Sequence, residues 1–410
     1  MRSIAFALSL VFIFLVPWEG VARFPVGTMA RTLGLVAGAV WLATVIIEGR
    51  LRKLSVYHIM VVLFVLWNAL SLFWSADPNR SMAHLRTWVQ TLVLVFIIWD
   101  LYTTQEAILA GLQAYILGAY VAVGTAVQNY LSGNAYYTNY QRFSPGDTNP
   151  DGFGFILALG IPLAWYLAAS KSTNRLGPLW KFINYAYIPA AFLGLALSGT
   201  RTALVASLVG MAFGLISLTR LRIWARIAIV ILLTGVIIYL WPRVATLESF
   251  QRLGTTGTEL TEGDLNNRTN NWREGFDAFV EHPIIGVGSN MYRSINSLGK
   301  VGHNSFISVL VELGLIGFLL FGIILAIVIN QAWSHPSKWD RSFWLTVFAV
   351  WTIGSSTLTW EHRKTTWLFL SFIVASAFLA RQRERKAYEA AHLPGLIHQP
   401  TMAQKEVLSH

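Results

Sequence analysis

The chain has 410 residues, of which 55% are hydrophobic and 12% charged, about half the charged share of a soluble protein. With a mean hydropathy of +0.52, a soluble globular domain is excluded, and the absence of cysteine excludes disulfides and thiolate metal sites. The net charge of +11 acquires meaning only once each basic residue is assigned to a side of a membrane.

Windows of about 20 residues read as an all-α polytopic membrane protein with about twelve spans. Their limits are 3–17, 29–47, 56–75, 84–101, 107–130, 152–170, 181–198, 201–219, 223–241, 303–330, 342–359 and 364–380. The first could pass for a signal peptide, but with eleven spans behind it an uncleaved helix is expected. Arg50, Arg52 and Lys53, then Lys171, Arg175 and Lys181, then Arg220, Arg222 and Arg226, then Lys338 and Arg341 fall on one side with the basic tail "RQRERK". The positive-inside rule makes that side cytoplasmic, with both termini on it. Two outer segments exceed plain connectors, 131–151 and 242–302, and the second reads as a small cap. Within it "NNWREGFDAFVEHPIIGVG", 270–288, sets Trp272, Phe276 and Phe279 at helical spacing before a Pro-Gly turn, which predicts an amphipathic helix on the outer surface. The organisation is therefore 1–241 for the first nine spans, 242–302 for the cap, 303–380 for the last three spans and 381–410 for the tail, expected to be disordered beyond about 387. No internal repeat is evident.

"LSGTRTALVA", 197–206, is a tight hairpin in which Thr200 suits the N-cap of the eighth span and Arg201 its first turn. A cation is unfavourable there, because the dipole end is already positive. An anion removes the conflict, since amides and guanidinium could then share one phosphate. The competing reading is an arginine that snorkels to the interface. In the cap, Arg268 and Arg273 are weaker candidates for the same task.

"GHNSFISVLVELGLIG", 302–317, turns from polar to apolar at His303. A helix beginning near 303 would set Ile307, Leu310, Gly314, Gly317 and Phe321 on the histidine's face, with Glu312 opposite. Gly314 and Gly317 would open that face to a neighbouring helix or a lipid chain. In a first turn the helix dipole would keep His303 neutral, and a neutral imidazole at the surface is a competent general base. The plainer reading is an interfacial cap residue. No Asp-x-Asp or His-Glu-x-x-His occurs, so no metal or other cofactor is expected, and a phosphate leaving group would need arginines. Nothing points to nucleic acid. A twelve-span transporter would require buried charges at depth and paired repeats, neither of which is apparent.

"HNSFISVLVELGLIG" resembles the pattern of the O-antigen ligase and polymerase superfamily: His, then Asn, Ser or Gln, nine residues, then Gly-x-x-Gly. The order of features is similar to the ligases, with a large outer loop between spans nine and ten. "SGTRTAL" and "NNRTNNWREGFDAFVEHPIIGVG" look like the family's two arginine segments, with "WNALSLFWSADPNRSM", 67–82, a softer likeness. The resemblance implies a glycosyltransferase of a bacterial inner membrane, acting at the periplasmic face on a glycan carried by undecaprenyl pyrophosphate. His303 would be the general base, Arg201 and Arg268 would hold the departing pyrophosphate, and transfer would invert the anomeric centre. Arg273, Asn304 and Glu361 are possible secondary residues. The acceptor would be lipid A-core for a ligase, the favoured branch, or a second lipid-linked repeat for a polymerase.

Overall fold

The computed structural model describes residues 1–21, 23–24, 27–137, 141–170, 177–219, 222–247, 249–251 and 268–392. Twelve long helices fall on the twelve predicted windows: α1 (Arg2–Leu15), α2 (Met29–Glu48), α3 (Val56–Leu70), α4 (Pro78–Leu101), α5 (Gln105–Leu131), α6 (Pro150–Ala169), α7 (Pro178–Ser198), α8 (Arg201–Leu218), α9 (Ile223–Val244), α12 (Ser305–Trp333), α13 (Lys338–Ser355) and α14 (Lys364–His392). Between the ninth and tenth lie α10 (Arg268–Glu281) and the single turn α11 (Tyr292–Ile295). Among the described residues the β structure is one two-residue antiparallel ladder, Arg23–Phe24 with Gly27–Thr28, and an isolated bridge between Tyr137 and Arg142. Seven of the helices are long and apolar enough to cross a membrane by length and composition, and two shorter stretches, Arg2–Trp18 and Arg201–Ile216, are apolar as well. The chain is an all-α polytopic membrane protein. Helix α14 runs through the start of the expected disordered tail as far as His392, and the remainder of that tail lies outside the described residues.

Local chemistry explains where the helices begin. Asp77, Thr104, Asn149 and Ser337 each accept an amide of the first turn, and Pro78 and Pro150 occupy the first helical position, where a missing N–H costs nothing. Helix α6 lies at the centre, buried along nearly its whole length against α5, α7, α8 and α13. Several buried polar groups are paired across helices, as hydrocarbon favours. Gln113 of α5 and Asn184 of α7 exchange hydrogen bonds of 3.1 and 2.9 Å, and the buried Asp100 accepts from Trp41 Nε1 at 3.1 Å and from the Arg52 amide at 3.0 Å.

The expectation of a continuous helix from His303 is overturned at two points. Asn304 is the N-cap, accepting from the Phe306 and Ile307 amides at 2.9 and 3.2 Å, so His303 lies outside the helix with φ +49°. Further along, Gly314 breaks the helix with φ 65° and ψ −168°, so no single face runs from His303 to Gly317 and Phe321. Five backbone groups around the break are satisfied from outside the helix. Val311 and Glu312 carbonyls accept the Val287 and Gly288 amides, at 3.1 and 2.8 Å. The Leu315 and Ile316 amides donate to Pro283 and Ile284 carbonyls, at 2.9 and 3.3 Å. Trp67 Nε1 supplies the last donor, to Leu313 O at 2.9 Å. The loop 283–288, exposed at Pro283–Ile285 and buried at Gly286 and Gly288, thus docks its backbone against the broken helix as its hydrogen-bond complement. Two glycines permit the approach: a Cβ on Gly286 would meet the Glu312 carbonyl carbon at 2.5 Å, and one on Gly314 would run into the Ile284 carbonyl. Gly314 therefore serves backbone contact with this loop rather than helix packing, whereas Gly317 packs beside Trp67.

Candidate functional site

Helix α10 and the start of α12 are joined by hydrogen bonds that fix His303. Asn271 Nδ2 and Trp272 Nε1 donate to the carbonyls of Val301 and Gly302, at 2.9 and 2.7 Å. The two residues preceding His303 are thereby tied to the helix that Arg268 opens. That helix turns Asn271 and Gly275 inward, where Tyr292 Oη donates to Asn271 O at 3.0 Å, and leaves Phe276 and Val280 exposed. Its apolar rings are not its buried face. Glu312, buried in α12, accepts the Asn290 and Tyr292 amides at 2.8 and 3.1 Å and so holds the segment that carries Tyr292.

Burial is the main influence on the His303 ring, and the nearby Arg268 cation adds to it; Asp151 opposes them, and Lys300 and Arg293 contribute further positive charge. The result is an imidazole pushed down to about 4 and neutral at pH 7. The neutrality expected from sequence holds, but not for the expected reason, because His303 precedes the helix cap instead of occupying the first turn. Burial also lowers Arg268, again opposed by Asp151. The three groups form one electrostatic unit.

Asp151 connects this unit to the hairpin that carries Arg201. Its Oδ1 accepts from Arg142 at 2.5 Å and from the Thr200 hydroxyl at 3.3 Å. Arg142 is buried, donating through Nε to Ser198 O at 2.6 Å and through Nη2 to Thr200 Oγ1 at 3.1 Å. Thr200 Oγ1 also donates to Pro150 O at 3.0 Å. Arg201 follows directly as the first residue of α8, as expected. The structure thus couples His303, Arg268 and Asp151 directly, and Asp151 in turn bonds Thr200, the residue before Arg201. Arg273 is exposed on α10. Glu361 is buried, its Oε1 3.1 Å from His362 Nδ1 and its Oε2 without a partner.

A cavity of about 660 Å³ opens at His303, lined also by Arg80, Tyr137, Arg293, Trp360 and Arg363. Ser305 Oγ closes one side, donating to Leu358 O and accepting from the Trp360 amide, both at 2.8 Å. Behind His84, which lines the cavity and lies 3.0 Å from Ser289 Oγ, is a buried polar knot. Ser289 Oγ donates to Asn68 Oδ1 and its amide donates to Ser71 Oγ, at 2.8 and 3.0 Å, while Ser81 Oγ donates to Ser289 O at 2.6 Å. Sequence reasoning missed Arg142 and Asp151: both lie in the 131–151 outer segment, where an arginine and an aspartate nine residues apart look like any solvated pair. Among the described residues no three His, Asp or Glu side chains converge to hold a metal ion.

The fold and cavity define a multi-pass membrane protein with an arginine-rich cavity at one end of its helices. Residues 186–322, which hold Arg201, Arg268, His303 and the broken helix, match the O-antigen ligase family. The chain is also 27% identical over 312 residues to the exopolysaccharide production protein ExoQ of Rhizobium meliloti (strain 1021), covering 70% of this chain and 68% of that protein. Both findings are likenesses to the O-antigen ligase and polymerase superfamily, the first confined to residues 186–322.

Proposed function

We propose that the protein transfers a glycan from a lipid pyrophosphate, undecaprenyl pyrophosphate in a bacterial inner membrane, to an acceptor hydroxyl at the periplasmic face. The observation that carries the reading is a neutral, half-buried His303 in the wall of a cavity large enough for sugars, with the Arg268 cation near enough to depress its proton affinity. The acceptor hydroxyl gives its proton to the imidazole as its oxygen bonds to the anomeric carbon. The bond from that carbon to the pyrophosphate oxygen breaks, and the leaving anion departs to Arg268 and Arg201. One displacement inverts the anomeric centre, and the proton passes from His303 to water. General-base assistance of this kind is worth roughly 10²–10⁴ in rate, with electrostatic stabilisation of the leaving group supplying more. Asp151 and Arg142 position the arginine-bearing hairpin, and Asn304 caps α12 so that His303 keeps its left-handed backbone.

The relative named for exopolysaccharide production favours chain growth, with a second lipid-linked repeat as acceptor. The family match, named for O-antigen ligation, supports the alternative of transfer to lipid A-core. Purified protein given a lipid-linked glycan, with either lipid A-core or a second lipid-linked repeat, separates the two. Chain growth gives products lengthened by whole repeats only with the second acceptor. Transfer to neither, by folded protein, contradicts the proposal.

A further inference from the structure

A second cavity of about 520 Å³ adjoins the first, and the two share His84, Asn290, His362 and Arg363 in their walls. Its far side carries Arg31 at the start of α2 and Lys364 at the start of α14, with Glu19 as the opposing carboxylate, ion-paired to Lys364. Three cations therefore face one anion. Arg31, Gln90 and Lys364 also line a third space, an almost wholly apolar groove of about 300 Å³ between α1, α2 and α4. Ala30, Gly34 and Gly38 recur every four residues of α2 along this groove, opposite Phe12 and Val93. Leu35, Leu42 and Val89 are exposed along its rim, so it opens sideways onto the lipid-facing surface. At its head the Arg31 Nε is buried and has no hydrogen-bond partner.

The geometry points to a second lipid site: the groove holds the chain of a single-chain lipid whose phosphate or pyrophosphate head sits at Arg31 and Lys364, and whose cargo reaches the His303 cavity through the shared wall. Three independent features fix this occupant. An apolar slot open to the bilayer accepts a chain without first exposing it to water. A buried guanidinium nitrogen with no partner at the slot's head is costly alone and is satisfied by an anionic oxygen. The continuous wall from Arg31 through His84 and His362 to His303 places a head-linked glycan where a hydroxyl could meet the base. Resting on the proposed glycan transfer, this site is that of the acceptor, and it makes the acceptor a lipid-linked glycan.

Photo-crosslinking with a diazirine-tagged farnesyl diphosphate tests the site without turnover. Wild-type protein in nanodiscs should be labelled on α1, α2 and α4, and unlabelled farnesyl diphosphate should displace the probe where inorganic pyrophosphate and dioleoylphosphatidylglycerol do not. Ala39→Trp, which fills the groove from an exposed position, and Arg31→Gln, which removes the head contact, should each cut that labelling at least five-fold, whereas His303→Asn leaves it unchanged. Labelling unaffected by both groove variants, or displaced equally by phosphatidylglycerol, overturns the site. In transfer assays with one lipid-linked glycan able only to donate and another able only to accept, Ala39→Trp should raise the acceptor KM at least ten-fold and leave the donor KM unchanged. An equal rise in both overturns the acceptor assignment. Labelling at the groove in a protein that transfers no glycan retires the proposed reaction and leaves the lipid site standing.

Discussion

His303 stands on a left-handed backbone, where Asn, Asp and His are enriched among non-glycine residues, and its proton affinity is set by burial and by Arg268. A base must be neutral to act, so transfer should be flat from pH 8 to about 5.5 and fall as pH drops through about 4. Removing the neighbouring cation in Arg268→Gln should move that acid limb upward toward the ordinary histidine value, and Asp151→Asn should move it down. A kcat/KM profile of the three proteins checks the order, and a wild-type midpoint near 6.5 would contradict the account. Arg201 is tested by geometry rather than charge. If two parallel hydrogen bonds grip a pyrophosphate, Arg201→Lys keeps the charge, loses the fork and should be badly impaired, with Arg201→Ala worse and weaker in donor binding. A snorkelling arginine would instead tolerate lysine at wild-type rate. His303 and Arg201 were legible because each stands out at the end of an apolar run, whereas Arg268, one of several cap arginines, was drawn from the family resemblance. Arg142 and Asp151 stand out in neither way, so only the fold reveals that they meet.

The helix that follows His303 is built to be broken. Its apolar periodicity runs unbroken through Glu312 and Gly314, which is why the sequence reads as one continuous span. The interruption depends on partners far away in the chain, Pro283–Gly288 and Trp67, which no periodicity encodes. The glycines of "HPIIGVG" and "ELGLIG" are the sequence trace of the contact, visible as motif and silent about geometry. The segment 67–82, only a softer family likeness in sequence, supplies Trp67, Asn68, Ser71 and Ser81 to the clasp around the break and Ser289. Trp67→Phe leaves the Leu313 carbonyl without its donor and should destabilise by about 1–3 kcal/mol, the usual cost of an unsatisfied buried polar group. Gly286→Ala should be worse, since its φ of +70° and the backbone at 2.5 Å both oppose a side chain. Thermal unfolding in detergent ranks them. Stability equal to wild type for Gly286→Ala would mean that the loop does not seat against the helix.

At the scale of the molecule, twelve apolar windows were enough to locate the twelve long helices, because hydrocarbon-length apolar runs are a strong signal. Their neighbours were not legible, since lipid-facing and protein-facing sides are equally apolar and only packing tells the buried α6 from the exposed faces of α2. The same whole-molecule view carries the expectation about metals. With no acidic or histidine cluster among the described residues and arginines at the proposed leaving-group site, transfer should survive EDTA. Loss with chelator, restored by magnesium or manganese, would assign the pyrophosphate to a cation instead. The most direct test of the central claim compares wild type with His303→Asn, a residue that tolerates the same left-handed backbone but cannot accept a proton as imidazole does. With a lipid-linked glycan at saturating concentration and both proteins shown folded by thermal unfolding, the rate of glycan transfer is measured at pH 7. A fall of at least about 10² in kcat is expected, with donor binding retained. Turnover within a few-fold of wild type would contradict it and return His303 to the role of a residue that merely leads into a membrane helix.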